Sequence, residues 1–171
     1  MQSNFETELV NDSLRSLIVK FPGPPGTPYE GGLWDVTVEL PDDYPYKSPS
    51  VGFKNRIFHP NIEQTRGSVC LDVLNMTWTP IYGLVNVFEV FLPQLLAYPN
   101  ASDPLNSEAG KAWFYSQTKQ SDEYDKIVRK WVAKYAQPRA QSAEVPEPEE
   151  ETRLDMDEES DSSLSSLELR E

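Results

Sequence analysis

The only histidine (His59), the only cysteine (Cys70) and one of the four tryptophans (Trp78) of this 171-residue chain fall inside one stretch, "IFHPNIEQTRGSVCLDVLNMTWTP", residues 57–80. A thiol close to an imidazole suggests a nucleophile with a general base, and a hydrolase built that way also needs a third group to orient the histidine. His59 precedes Pro60, which restricts it to extended or turn backbone. In that position the ring can brace the loop through a backbone amide, the role expected for it here. Cys70 is then left without a base. A thiol still reacts in that state, because about a few per cent is thiolate near neutral pH and sulfur is a strong nucleophile. Such a site favours exchange between thioesters over amide cleavage, where a leaving amine must be protonated. The chemistry implied is the carrying of an acyl group. The plainer reading, a buried cysteine acting as a small hydrophobe, is opposed by Gly67-Ser68 before it and Asp72 after it, which place the thiol on a turn-bearing loop with partial exposure. One cysteine and one histidine fall short of the three or four ligands zinc requires, so no metal site is expected.

The elements that must hold this loop can be read on either side of it. "FETELV" and "LRSLIVKF" flank Asn11-Asp12-Ser13 as a hairpin. "LWDVTVEL" alternates Trp34, Val36, Val38 and Leu40 against polar neighbours, as a strand with one buried face does, and "SVGF" makes a fourth strand. From Leu84 the period changes: Leu84, Val87, Phe88, Phe91, Leu92, Leu95 and Leu96 recur at helical steps, with Pro93 expected to kink the helix or remove a hydrogen bond. Further helices are expected at about 107–115 and 122–136. Strands first and helices afterwards make the class α+β, a four-stranded antiparallel meander followed by helices. Between them, Lys54 to Ile81 show neither helical period nor sustained alternation, and a connection beyond about 12–15 residues is uncommon unless functional or disordered. Ile57, Phe58, Ile62, Val69, Leu71, Leu74 and Trp78 can anchor it, so it is expected to be an ordered, functional loop.

Charge divides the chain. Residues 1–137 carry sixteen acids and twelve bases, while 138–171 carry twelve acids and three bases. The first part reads as one folded domain and the second, rich in Glu, Asp, Ser and Pro, as a disordered acidic tail. An acidic chain repels phosphate backbones, which argues against nucleic acid as a partner. A lone cysteine, no signal-like N-terminus and no apolar run near 20 residues argue against secretion and membranes and for cytoplasm and nucleus.

Six segments in order, "GTPYEGG", "DDYPYKSPSVGF", "HPNI", "GSVCLD", "WTP" and "PNASDPLN", resemble those of ubiquitin-conjugating enzymes across about residues 5–137. "FLPQLLAYPN" and the acidic, serine-bearing tail are most similar to the H-type branch of that family. The resemblance implies a ubiquitin-conjugating (UBC-like) fold and a function: Cys70 accepts ubiquitin from the activating enzyme as a thioester and passes it to a substrate lysine with a RING-type ligase, which can be multisubunit. Asn61 is implied either as a donor to the oxyanion or as a brace of the catalytic loop, with His59 and Pro60 shaping that loop. Asp103 is implied as the acid near the acceptor lysine; it could also cap the helix after Pro104. Glu63 is either a second acid facing the lysine or a solvated side chain. Pro45, Tyr46, Thr79, Pro80 and Ile81 map to the ligase-binding loops. No cofactor is implied, since ATP is used by the activating enzyme.

Two features qualify the resemblance. Family members begin with a helix before the first strand, and "MQSN" has no counterpart to it, so the N-terminal helix is missing from this pattern and charging would be slow. The alternative is a non-catalytic binding module or competitor that is never charged. In the tail, Ser160, Ser162, Ser163, Ser165 and Ser166 lie among acids, a context for acid-directed phosphorylation that adds about −1.5 to −2 charges each. The tail either docks on a basic patch of a ligase, or of a basic substrate such as histones, or only solubilises the chain.

Overall fold

A computed structural model of the chain describes residues 4–138. Four strands, β1 (Thr7–Val10), β2 (Ser13–Pro22), β3 (Leu33–Glu39) and β4 (Ser50–Phe53), pair antiparallel in sequence order. Among the described residues the first element is β1. The expected hairpin turns on Asn11 and Asp12, both left-handed with φ of 53° and 57°, so that Val10 pairs with Ser13. Short polar side chains tolerate this conformation, and the resulting tight turn matches the twist of the strands. Trp34, Val36 and Val38 alternate into the core from β3, alongside Val19 and Phe21 of β2 and Val51 and Phe53 of β4. On the opposite face Lys20 and Asp35, directly opposed across β2 and β3, form an ion pair of 2.6 Å.

Helical residues cover the inner face in the expected register. Leu84–Asn86 (α2) leads into a π-helical segment, Val87–Phe91, and then into Leu92–Ala97 (α3). Val87, Phe88, Phe91, Leu92, Leu95 and Leu96 are buried, and the Phe88 ring lies 6.2 Å from that of Phe21. Helical backbone continues through Pro93. The turn before it widens, the Leu92 N–H reaching the Val87 carbonyl five residues back, which relieves the crowding of a proline ring against the carbonyl four residues earlier. Two more helices follow, α4 (Ser107–Lys119) and α5 (Glu123–Tyr135). α4 runs a turn beyond the expected Tyr115, because Gln117, Thr118 and Lys119 are polar and exposed and extend no apolar period. α5 carries Glu123 and Asp125 in its first turn and Lys134 in its last, complementing the helix dipole.

The segment 54–81 departs most from expectation. It is not irregular throughout. Ser68 bridges Gly52 of β4, Val69 bridges Ile62, and the Val69 N–H donates to the Val51 carbonyl, so residues 67–69 run as a short extension beyond β4. A seven-residue helix, α1 (Leu71–Thr77), follows at once. Neither piece is long enough to establish a period: each bridge uses one residue per side, and α1 buries only Leu74. Gly67 makes the joint, with φ +75° and a position where a Cβ would lie 1.9 Å from the Phe53 carbonyl oxygen. Only glycine fits both demands.

The domain boundary at Gln137 lies at the edge of the described residues. The acidic tail, with Ser160, Ser162, Ser163, Ser165 and Ser166, lies outside them apart from Pro138.

Candidate functional site

His59 is buried completely, with both ring nitrogens engaged: Nε2 donates to the Leu95 carbonyl (2.8 Å) and Nδ1 accepts from the Asn61 N–H (3.0 Å). Burial pushes its pKa from 6.5 down to about 4, so the ring is neutral near neutral pH and pins the His-Pro-Asn turn to α3. It offers no lone pair to Cys70. The Tyr29 hydroxyl, buried against that of Tyr124 at 2.8 Å, holds the same turn by donating to the Phe58 carbonyl (2.6 Å).

Asn61 follows, also fully buried. Its Nδ2 donates to the Asn100 carbonyl (2.7 Å) and its Oδ1 accepts from the Asn100 N–H (2.8 Å). Of the two roles left open for this amide, its geometry is that of a brace: it pairs with a backbone much as a strand would. Its own carbonyl accepts from the Cys70 N–H at 2.9 Å, which fixes the backbone of Cys70 beside it.

Cys70 is the N-cap of α1, with non-helical backbone (φ −55°, ψ 118°), and it is half-buried. The thiol thus stands at a junction. Behind it the chain is tied to the sheet; ahead of it the Leu74 N–H donates to the Cys70 carbonyl and starts the helix.

Asp103 is exposed, in a loop tethered twice to the His-Pro-Asn turn: at Asn100 through Asn61, and at Asn106, whose N–H donates to the Pro60 carbonyl (2.9 Å). Pro60 therefore serves as an acceptor as well as a restraint. Asp103 does not cap α4. That role belongs to Asn106, whose Oδ1 accepts from the Ala109 N–H at 3.1 Å. The reason is the rigid Asp-Pro-Leu step, which delays the first helical residue to Ser107.

Glu63 has the solvated side chain that was one of its two expected descriptions, but it is not idle. Its carboxylate folds onto its own turn and accepts from the Thr65 N–H (3.1 Å) and the Arg66 N–H. Those two bonds, the Arg66 one foremost, hold its pKa below the usual carboxylate range. It is a turn-former for the segment leading to Gly67.

The two loops mapped to ligase binding are brought together by Trp78. Its indole N–H donates to the Pro45 carbonyl (2.9 Å), and its ring lies 5.9 Å from Tyr44 across the cis Tyr44–Pro45 bond. Thr79 and Pro80 are exposed beside it, and Tyr46 and Ile81 are 80% and 95% exposed. Two large apolar side chains are thus exposed on neighbouring loops and are not part of the core edge. Sequence reasoning missed Asn100 and Asn106 as tethers. "PNASDPLN" begins and ends its loop with asparagine, a spacing that could have signalled it. Among the described residues there is no cluster of His, Cys, Asp and Glu able to hold a metal ion, and no helix is long and apolar enough to cross a membrane.

Comparison with known proteins agrees with this architecture. The family model described as ubiquitin-conjugating enzyme matches residues 1–132. The chain is 52% identical over 145 residues to ubiquitin-conjugating enzyme E2 5 of Arabidopsis thaliana, covering 85% of this chain and 76% of that protein. It is 50% identical over 136 residues to ubiquitin-conjugating enzyme E2-24 kDa of Saccharomyces cerevisiae, covering 80% and 61%. Among solved structures, the E2 domain of a Toxoplasma gondii ubiquitin conjugating enzyme superposes with a TM-score of 0.67 at 28% identity, covering 78% of this chain and 88% of that one. With a matched family model over most of its length, the same sheet-then-helix order and the thiol at the head of α1, the chain belongs to the ubiquitin-conjugating enzyme family.

Proposed function

We propose that Cys70 is the sulfur on which this ubiquitin-conjugating enzyme carries its cargo. The observation that supports it best is the half-exposed thiol whose backbone is bonded to Asn61, itself bonded to the loop that bears Asp103. In the first step the Cys70 thiolate attacks the thioester carbonyl on the activating enzyme. A new S–C bond forms, the old one breaks, and the departing thiolate takes up the proton Cys70 gave up. In the second, a neutral lysine amine attacks the Cys70 thioester, the N–C bond forms as the S–C bond breaks, and the amine's surplus proton leaves to solvent or to Asp103. Asp103 orients the lysine and stabilises its charge; Asn61 keeps the loop that carries Asp103 in place. No cofactor is bound in this scheme, ATP being spent by the activating enzyme.

Ubiquitin, its activating enzyme, a ligase and lysine-bearing substrates are the partners family membership entails. A RING-type, multisubunit ligase, histones as a basic substrate, tail serines as phosphorylation sites, a domain boundary near Gln137 and residence in cytoplasm and nucleus are the finer reading. They rest on the exposed Tyr46 and Ile81 and on the charge of the tail. Relatives named as conjugating enzymes favour catalysis over the binding-module alternative. Incubation with activating enzyme, ATP and ubiquitin followed by a non-reducing gel tests the assignment. A reductant-sensitive adduct lost in Cys70→Ala is expected; an adduct that survives the substitution would overturn it.

A further inference from the structure

The loop 100–106 is held at two posts, and only one of them belongs to the His-Pro-Asn turn's own side chains. Asn61 grips the first through both polar atoms of its amide. At the second, every backbone polar group of Asn106 is in use: its N–H donates to the Pro60 carbonyl at 2.9 Å, and its carbonyl accepts from Gly110 at 2.9 Å. Its Oδ1 takes the Ala109 N–H, which fixes the extended backbone (φ −108°, ψ 100°) that aims the N–H at Pro60. The residue is 5% exposed, and its Nδ2 has no partner among the described residues. An unmet buried donor is unfavourable. An aspartate would cap the helix equally well without it, so the side-chain oxygen is the atom the geometry uses.

From this we infer that Asn106 is a positioning residue for lysine transfer: its cap locks α4 to Pro60 and so fixes where Asp103 stands relative to Cys70. The inference rests on the proposed roles of Cys70 and Asp103. Without the cap the first turn of α4 frays, the Asn106 N–H leaves Pro60, and the loop keeps only its Asn61 end. A displacement of about 1 Å between reacting groups can cost on the order of 100-fold in rate.

The test uses the full chain, charged with ubiquitin and then chased with either free lysine or a small thiol. Attack by a thiol needs no acid near an amine, so it reports the thioester alone. In Asn106→Ala, lysine discharge is expected to slow by about 10- to 100-fold while charging and thiol discharge stay at the wild-type rate. Asn106→Asp, which keeps the capping oxygen, is expected to restore lysine discharge. Combined with Asp103→Ala, Asn106→Ala should add nothing, because the two residues act as a unit. Equal slowing of thiol and lysine discharge would overturn the inference, as would unchanged lysine discharge in Asn106→Ala. A failed Asn106→Asp rescue in a protein of wild-type melting temperature would do the same, since the capping oxygen would then not be what sets the transfer rate. If the wild-type chain forms no Cys70-dependent adduct, it is the underlying assignment that fails instead.

Discussion

At the scale of single residues, the site is a set of backbone bonds around one sulfur. His59 contributes by being neutral. Its folded pKa, about 4, lies below the unfolded value of 6.5, so the unfolded chain binds the extra proton first as pH falls. The stability held above pH 6.5 is therefore lost progressively down to pH 4, by about 3 kcal/mol. Urea titrations across that window should show this loss, and His59→Gln should flatten it even if its stability at pH 7 is lower. Asn61→Ala removes both bonds to Asn100. We expect charging to persist and lysine discharge to slow by about 10- to 100-fold, with faster amide exchange at Asn100, whose N–H loses its acceptor. Unchanged exchange at Asn100 would argue that Asn61 acts on the oxyanion and not as a brace.

Among the elements, α1 joins the proposed nucleophile to the proposed ligase surface. Cys70 caps its start, and Trp78 caps its end and reaches Pro45. Trp78→Phe keeps the ring against Tyr44 and Tyr82 while removing the indole donor, at a cost of about 1 kcal/mol. The Pro45–Tyr46 loop then loses its tie to Thr79–Ile81, so ligase-stimulated discharge should weaken in Kd while ligase-independent charging is unchanged. Gly67→Ala tests the joint before the thiol. A positive φ and a carbonyl in the way of Cβ predict a loss of at least ~1 kcal/mol in chemical denaturation, more than at Gly26, where nothing lies within 4 Å of an added Cβ.

Across the whole chain, charge is unevenly spread. The net charge is −13, of which residues 138–171 carry −9 and residues 1–137 only −4. Attraction of the tail to a basic ligase or substrate surface weakens with ionic strength, since the screening length falls from about 10 Å at 0.1 M to about 3 Å at 1 M. Ligase binding by the full chain should therefore fall with added salt and rise on tail phosphorylation, measured by fluorescence anisotropy. Charging by the activating enzyme should follow neither trend. Salt-insensitive ligase binding would leave the tail a solubilising segment.

The sequence by itself determined the sheet, the helical face from Leu84 to Leu96 and the singling out of Cys70 as the candidate nucleophile. Strand alternation and helical period are local properties written in side-chain order, and a lone cysteine among turn residues needs no partner to be noticed. It left open whether Asn61 is a donor or a brace and whether Asp103 also caps α4, and it took residues 54–81 for loop throughout. Each of those depended on contacts far apart in the chain: Asn61 with Asn100, Asn106 with Pro60, Gly67 with Phe53. Single-residue bridges and backbone tethers have no period and little preference for residue type. Only the folded chain, by bringing those backbones to within about 3 Å of one another, decides which polar group takes which partner.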